Sequence, residues 1–299
     1  MKNRINAMVL GSFVADALSL GVHWVYNTNV IDRKFGRVDR YHDPLTSFHK
    51  GKKAGEQTHY GDQMLVLMES VEADSGFDLN HFAERWRRFF ETYTGYFDHA
   101  TKDTLQHLAE GRDAHTCGSD SDDLAGASRI APLCWVYAGD KEHLIQAVGQ
   151  QTAFTHNNSL VLEAAEIFAR TTAGVLGGAA PLEALDEVVG RHFKGSAVAS
   201  LVEDGLDSAE IDTRQAVADF GQACSVEAAL PGVIHLLARY ENDFEAALVE
   251  NVMAGGDSSA RGMPVAMILG AHLGLEAIPG LWLDGLAVHE RVEQFLRSR

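Results

Sequence analysis

Cysteine, proline and positive charge are all scarce in this chain of 299 residues. The three cysteines, Cys117, Cys134 and Cys224, are too few and too scattered for a disulfide framework, and none lies in a C-x-x-C spacing. They indicate buried small side chains in a reducing compartment, so we expect a cytoplasmic protein. Only 6 prolines and no low-complexity tract are present, which argues against long disordered segments.

The deficit of positive charge limits the partners of the protein. Lysine and arginine total 25 against 42 aspartates and glutamates, a formal charge of −17. Such a surface repels nucleic acid and anionic membranes, so we expect neither as a partner. The apolar run Ile5–Leu20 contains Asp16 and is followed by no small-residue cleavage site, which favours a buried helix over a signal peptide or a membrane span.

Helical spacing dominates the chain, and no alternating β-branched run is bounded by hairpin turns. Asp78 is an expected N-cap for a helix whose apolar stripe runs from Leu79 to Tyr93. Similar patterns predict further helices over Leu160–Leu176, Pro181–Phe193, Pro231–Tyr240, Asp243–Met253, Met263–Gly274 and Leu283–Leu296. With 46% apolar residues and no linker composition or internal repeat, we expect one all-α domain over residues 1–299.

Two long stretches, Asn27–His59 and Gly111–Asp123, lack a helical pattern. The first holds much of the positive charge of the chain. A long loop within a compact domain is often functional. A solvated surface loop is the alternative interpretation.

The C-terminal loop Gly255–Gly262 is the most informative segment. A glycine pair frees the backbone, Asp257 follows, and an apolar helix begins at once. This arrangement suits a helix N-terminus at which a carboxylate, hydroxyls and backbone N–H groups converge on a cation or a phosphate.

Polar residues in four other segments are further candidates. Asp16 is costly to bury unless it is paired or bound, although a cap or a helix-to-helix hydrogen bond explains it equally well. Asp62 ends the polar loop that starts near Glu56, and it is either a ligand or only an N-cap. Arg129 suits a phosphate or a structural salt bridge. His156 precedes a helix, and it is either a general base or a cap or core side chain whose hydrogen bonds are satisfied.

These five segments, in order and over nearly the whole chain, resemble signatures of the ADP-ribosylglycohydrolase family. The family opens with Gly-Asp-Ala-x-Gly where this chain has Ala15–Ser19, and has an Arg-x-x-Pro sequence that Arg129–Pro132 matches. Thr155-His156 matches a Thr-His pair. The family writes Gly-Gly-Asp-x-Asp-Thr where Gly255–Ala260 reads Gly-Gly-Asp-Ser-Ser-Ala.

The resemblance implies a compact orthogonal bundle of helices that hydrolyses a glycosidic bond at ribose C1. Two Mg²⁺ ions would orient the ribose hydroxyls and activate water. The expected partner is ADP-ribose, free or linked to a protein. The residues that the resemblance places against this ligand are Asp122, Gly126, Arg129, His156, Gly255 and Gly256.

The metal motifs depart from the family pattern. The family carries Thr-Asp-Asp-Thr where this chain keeps only Asp62, aligned either on the second aspartate or on the last threonine. Ser259 stands in place of an aspartate, and Ala260 removes a threonine oxygen. The remaining metal ligands would be Glu56, Asp62, Asp257 and Ser259, which suits one weakly held Mg²⁺ or none.

These departures leave three alternative functions. The first is a divergent hydrolase in which Asp62 and Asp257 act as acid and base. Alternatively the chain is a catalytically silent relative that keeps the ligand cleft, as the J1-type crystallins, which resemble this family, suggest. A different small-molecule reaction in the same cleft is the third. Trp24, Tyr26 and Tyr60 would stack on a purine or pack in the core.

Overall fold

The computed structural model describes residues 1–298, and within that range the chain forms helices and no β-strand. The predicted all-α class is confirmed. The α-helices are α1 Lys2–Leu20, α2 Thr28–Phe35, α3 His59–Asp74, α4 Leu79–Thr92, α5 His99–Ala109, α6 Ala125–Ser128, α7 Ala131–Val136, α8 Lys141–Thr155, α9 Ser159–Leu176, α10 Pro181–Val188, α11 Ala197–Asp207, α12 Thr213–Phe220, α13 Val226–Arg239, α14 Phe244–Met253, α15 Ser258–Leu273, α16 Gly280–Gly285 and α17 His289–Arg297. A π-helical turn Val189–Phe193 extends α10, and 3₁₀ turns cover Ser47–His49 and Leu275–Ala277.

Helices α1 and α15 form the most extensive helix pair and lie at the centre of the core. Small residues allow their backbones to approach closely. A Cβ on Gly11 would lie 2.9 Å from the carbonyl oxygen of Ala266, and one on Gly270 would lie 2.5 Å from that of Ala7. This pairing places the C-terminal end of α1 beside the N-terminal end of α15, where the candidate site lies.

Side-chain caps place several helix starts where the sequence predicts them. Asp78 accepts a hydrogen bond from the His81 N–H at 2.9 Å, and Asp243 accepts one from the Ala246 N–H at 2.9 Å. The predicted helix Leu283–Leu296 is wrong, because α16 and α17 are separated by an extended residue at Leu286. There the Ala287 N–H donates to the Gly55 carbonyl at 2.9 Å, so the break lets the chain end pair with a distant loop.

The stretch Asn27–His59 is less irregular than predicted, since it contains α2 and the first 3₁₀ turn. Backbone bridges rather than strands connect the loops around the site. Val25 bridges Gly256 in antiparallel fashion, and Asp123 bridges Ser225. None of the helices in the described chain combines the length and apolar character that crossing a membrane requires.

Candidate functional site

The glycine loop before α15 holds Asp257 at the centre of the site. Gly255 and Gly256 have φ values of +71° and +65°, the left-handed region that favours glycine. A Cβ on Gly256 would lie 2.2 Å from the backbone oxygen of Gln222, so only glycine fits. Their N–H groups donate to the carbonyls of Val252 and Val25. The two glycines therefore shape the loop, and both of their N–H groups are already paired with backbone carbonyls.

The carboxylate of Asp257 is fully buried and accepts four hydrogen bonds. Oδ1 accepts from the Ala260 N–H at 2.9 Å, which caps α15, and pairs with His23 Nε2 at 3.0 Å. Oδ2 accepts from the Tyr60 hydroxyl at 3.0 Å and the Trp24 indole at 3.4 Å. Burial opposes ionisation of Asp257, but His23 and the cap outweigh it and lower its pKa.

Asp123 is the second carboxylate of the site. Its Oδ2 lies 3.3 Å from the same Tyr60 hydroxyl, whose single proton is nearer to Asp257, and its Oδ1 accepts from the Ala125 N–H at 2.9 Å. Burial and then the negative charge of Asp257 raise the pKa of Asp123. The two carboxylates share one phenol and have opposite pKa shifts.

Asp122, which the resemblance placed against the ligand, is exposed at the surface. Its carbonyl accepts from the Val226 N–H at 2.7 Å in the backbone bridge, and this pairing turns the next residue, Asp123, inward. The inward carboxylate therefore belongs to the neighbouring residue.

Cys224 is the third member of this cluster. One ligand atom from each of Asp123, Cys224 and Asp257 lies within 4.8 Å of the other two. Cys224 is only half-buried, unlike the buried cysteines Cys117 and Cys134. Burial and the two neighbouring carboxylates raise its pKa, so the thiol stays protonated and is a poor nucleophile.

Asp16 forms a buried polar junction of α1, α3 and α15. It accepts from the Thr58 N–H at 2.7 Å, the Thr58 hydroxyl at 2.6 Å and the Ser259 hydroxyl. Ser259, a predicted metal ligand, therefore satisfies Asp16 instead. These donors satisfy the hydrogen-bonding capacity of the buried carboxylate.

Asp62 and Glu56 do not join Asp257. Asp62 pairs with Lys52 Nζ at 2.6 Å and accepts from the Tyr93 hydroxyl at 2.7 Å. Glu56 accepts from the backbone N–H of Lys53. Residues two apart on a helix point about 200° apart, so Tyr60 faces Asp257 while Asp62 faces the opposite side. The predicted acid–base pair of Asp62 and Asp257 is thus not assembled.

The geometry indicates a different register for the motif at α3. Thr58 caps α3 and lies 3.5 Å from the Ser259 hydroxyl, inside the site. If Thr58 matches the first threonine of Thr-Asp-Asp-Thr, then His59, Tyr60 and Gly61 replace Asp, Asp and Thr. Both aspartates are then lost, and Asp62 lies outside the motif.

Arg129 and His156 lie behind the cleft and are buried. Arg129 donates to the Thr155 hydroxyl at 2.7 Å, and His156 Nδ1 pairs with the same hydroxyl at 2.9 Å. The His156 ring packs on Gly126, where a Cβ would lie 2.6 Å from it. Burial, with the charge of Arg129, lowers the pKa of His156 well below its usual value. These residues support the site from behind.

Aromatic side chains form the outer rim of the site. Trp24 has a φ of +62° and contacts the rings of Phe48 and Tyr96, with centroids 4.8 and 5.2 Å away. Phe48 and Tyr26 are 43% and 52% exposed, so this rim faces solvent. Tyr26 is near enough for Asp257 to help raise its pKa, although burial is the larger cause.

The residues present do not fit a magnesium pair. Mg²⁺ takes six oxygen ligands and discriminates against nitrogen and sulfur. The groups around Asp257 are the His23 imidazole, the Tyr60 phenol, the Trp24 indole and the Cys224 thiol. Within residues 1–298, Asp123 is the only other carboxylate in the cluster of Asp123, Cys224 and Asp257.

Sequence reasoning missed His23, Asp123 and His49. Asp123 directly follows Asp122, so its role depends on the bridge to Ser225. His23 and His49 lie in segments without a family motif. The available signal was a concentration of four histidines, His23, His42, His49 and His59, within 40 residues, and the structure buries three of them.

The chain is similar to known proteins along its whole length. The model of the family described as ADP-ribosylglycohydrolase matches residues 1–298. Crystallin J1A from Tripedalia cystophora is 24% identical over 98% of this chain and 95% of its own length. Crystallin J1B from the same organism is 25% identical over 99% and 97%.

Two further comparisons agree. An uncharacterized protein from Archaeoglobus fulgidus is 29% identical over 98% of this chain and 95% of its own. A solved structure of an "ADP-ribosylglycohydrolase-related protein complex" superimposes with a TM-score of 0.78 at 25% identity, covering 99% of this chain and 96% of that one. With a family model matched from residue 1 to residue 298, this chain belongs to the ADP-ribosylglycohydrolase family.

Proposed function

We propose that this protein hydrolyses an N- or O-glycosidic bond at ribose C1 of an ADP-ribosyl substrate without the magnesium pair of its family. The observation that carries the proposal is the carboxylate pair Asp123 and Asp257, joined by the Tyr60 hydroxyl at 3.3 and 3.0 Å. Enzymes that hydrolyse glycosidic bonds usually use two carboxyl groups whose pKa values are shifted apart.

The pKa shifts assign the roles. Asp123, whose pKa is raised by burial and by Asp257, keeps its proton near neutral pH and donates it to the leaving group as the bond at C1 breaks. Water then bonds to C1 and gives a proton to the Asp123 carboxylate, which restores the acid. Asp257, whose pKa is lowered through His23 and its cap, stays ionised and stabilises the positive charge that develops at C1. The Tyr60 hydroxyl fixes the positions of Asp123 Oδ2 and Asp257 Oδ2 relative to each other.

The surroundings support a nucleotide-like substrate. Trp24, Tyr26, Phe48 and Tyr96 offer aromatic faces at the rim, on which an adenine ring would stack. Beside them, a cavity of about 270 Å³ is lined by Lys50, by Lys52, which is paired with Asp62, and by Tyr96. Lys50 is the cation there that could contact a phosphate-bearing ligand on an otherwise negative surface.

The experiment is a hydrolysis assay with arginine-linked and serine-linked ADP-ribosyl peptides, in magnesium-free buffer and after adding Mg²⁺. We expect ADP-ribose release in both buffers. Asp123→Asn and Asp257→Asn should each lower kcat by about 100-fold or more. Asp122→Asn, beside Asp123 but exposed, is the matched control and should keep full activity, as should Asp62→Asn.

Strict dependence on Mg²⁺, or loss of activity in Asp62→Asn alone, would contradict the proposal. A second candidate is a catalytically silent relative, which the similarity to crystallins J1A and J1B favours. Titration of ADP-ribose separates the two, because a silent protein that keeps the cleft binds the ligand and releases no product. A protein with no ADP-ribose affinity would fit a purely structural role.

A further inference from the structure

Three buried histidines meet beside the carboxylate pair. His23 follows α1, His49 ends the 3₁₀ turn, and His59 begins α3. Their side chains are 0%, 3% and 1% exposed. One ring nitrogen of each lies within 4.8 Å of those of the other two. Three imidazoles buried at one point require a physical explanation, because each ring carries polar nitrogens that burial leaves to be satisfied.

Two of the ring nitrogens already have the spacing of metal ligands. His49 Nε2 and His59 Nδ1 form a hydrogen bond with each other at 3.1 Å, which an ion between them would replace. In a tetrahedral zinc site with Zn–N bonds of about 2.0–2.1 Å, ligand nitrogens lie about 3.3–3.4 Å apart. A ring nitrogen of His23 lies within 4.8 Å of both.

Carboxylates lie behind two of the histidines. Asp257 pairs with His23 Nε2 at 3.0 Å, and Asp98 Oδ2 lies 3.4 Å from His59 Nε2. Histidines that bind metals usually donate their second N–H to a carboxylate, which fixes the tautomer and the ring orientation. For His23, that tautomer leaves Nδ1 with its lone pair, and this nitrogen is buried without a hydrogen-bond partner. His59 Nε2 and Asp98 Oδ2 are in contact but form no hydrogen bond, so both of these buried atoms also lack a partner.

We propose that His23, His49 and His59 form a binding site for a transition-metal ion of the zinc type, with one coordination position left to a non-protein ligand. Imidazole nitrogens suit Zn²⁺ and not Mg²⁺. The ion would tie the end of α1, the 3₁₀ turn and the start of α3 together beside Asp257. This inference stands independently of the proposed hydrolysis, since it concerns metal binding alone.

The test uses the full chain without a histidine tag, stripped with a chelator and titrated with Zn²⁺ in competition with a chromophoric chelator. We expect one Zn²⁺ per chain, and tetrahedral d–d absorption bands when Co²⁺ replaces it. Mg²⁺ should neither bind nor compete. His49→Gln should weaken Zn²⁺ binding by about 100-fold or more, whereas His115→Gln, which removes an exposed histidine, should leave it unchanged.

A second variant keeps the test decisive if His49→Gln fails to fold. Asp98→Asn retains the N-cap of α5, because asparagine also caps, but removes the carboxylate behind His59. We expect a loss in Zn²⁺ affinity of about 10-fold or more. The proposal is overturned if the wild-type chain retains no Zn²⁺, or if every folded variant at positions 49 and 98 binds it as tightly as His115→Gln.

Discussion

Replacing Asp16 with alanine tests whether this residue is a structural junction or a metal ligand. Asp16 is the common acceptor for the Thr58 N–H, the Thr58 hydroxyl and the Ser259 hydroxyl. The two hydroxyls can rotate to other acceptors, but the Thr58 N–H is fixed at the start of α3. Leaving that buried donor without a partner costs about 1–3 kcal/mol. The void left by the carboxylate adds about 1 kcal/mol.

We therefore expect Asp16→Ala to lower the free energy of unfolding by about 2–4 kcal/mol, measured by urea denaturation without divalent ions. Asp16→Asn keeps an oxygen for the Thr58 N–H and turns its amide toward hydroxyls that can accept, so its loss should be less than half as large. Ser259→Ala, which removes one rotatable hydroxyl, is the control. Equal losses for the alanine and asparagine variants, or stability that returns on adding Mg²⁺, would refute the structural interpretation.

Two further predictions concern stability. The unfolded chain protonates histidine near pH 6.5, and the folded chain holds His156 neutral through burial and the charge of Arg129, so this residue costs stability as pH falls below about 6.5. Between about pH 6 and 5, the free energy of unfolding should fall less in His156→Gln than in the wild-type chain, by up to about 1.4 kcal/mol. An equal pH slope in the two proteins would contradict a neutral, buried His156. Gly256→Ala should lower the free energy of unfolding by about 2 kcal/mol or more, because of the positive φ of this residue and its contact with Gln222. Gly149→Ala, which adds a methyl group in open space within α8, should raise it by about 0.5–1 kcal/mol. Thermal melts of the two variants compare these effects directly.

The helices could be predicted from the sequence because their signals are local. The Asp78 cap and the apolar stripe that follows it lie within one segment, and so do Asp243 and α14. The break at Leu286 could not be predicted in this way, since its cause is a hydrogen bond to Gly55, more than 200 residues earlier. Periodicity carries no information about such a partner.

The site was only partly predictable for the same reason. Asp257 follows a glycine pair, and its role as the centre of the site could be expected from that local pattern. The expectation that Asp62 lies beside Asp257 relied on keeping a carboxylate at a motif position, but Asp62 pairs with Lys52 instead. Which of two adjacent aspartates points inward depends on a backbone bridge to Ser225, about 100 residues away. Motif matching also could not show that Thr58, not Asp62, lies inside the site.

The contact between Gly61 and Asp16 leaves no room for a side chain at position 61. A Cβ there would lie 2.2 Å from Asp16 Oδ2. A threonine at position 61, as in the register that aligns Thr58 with the first threonine of the family motif, does not fit while Asp16 accepts hydrogen bonds from Thr58 and Ser259. An aspartate at position 259 would bury a second carboxylate against that of Asp16. Each of these two substitutions alone is therefore expected to destabilise the folded chain.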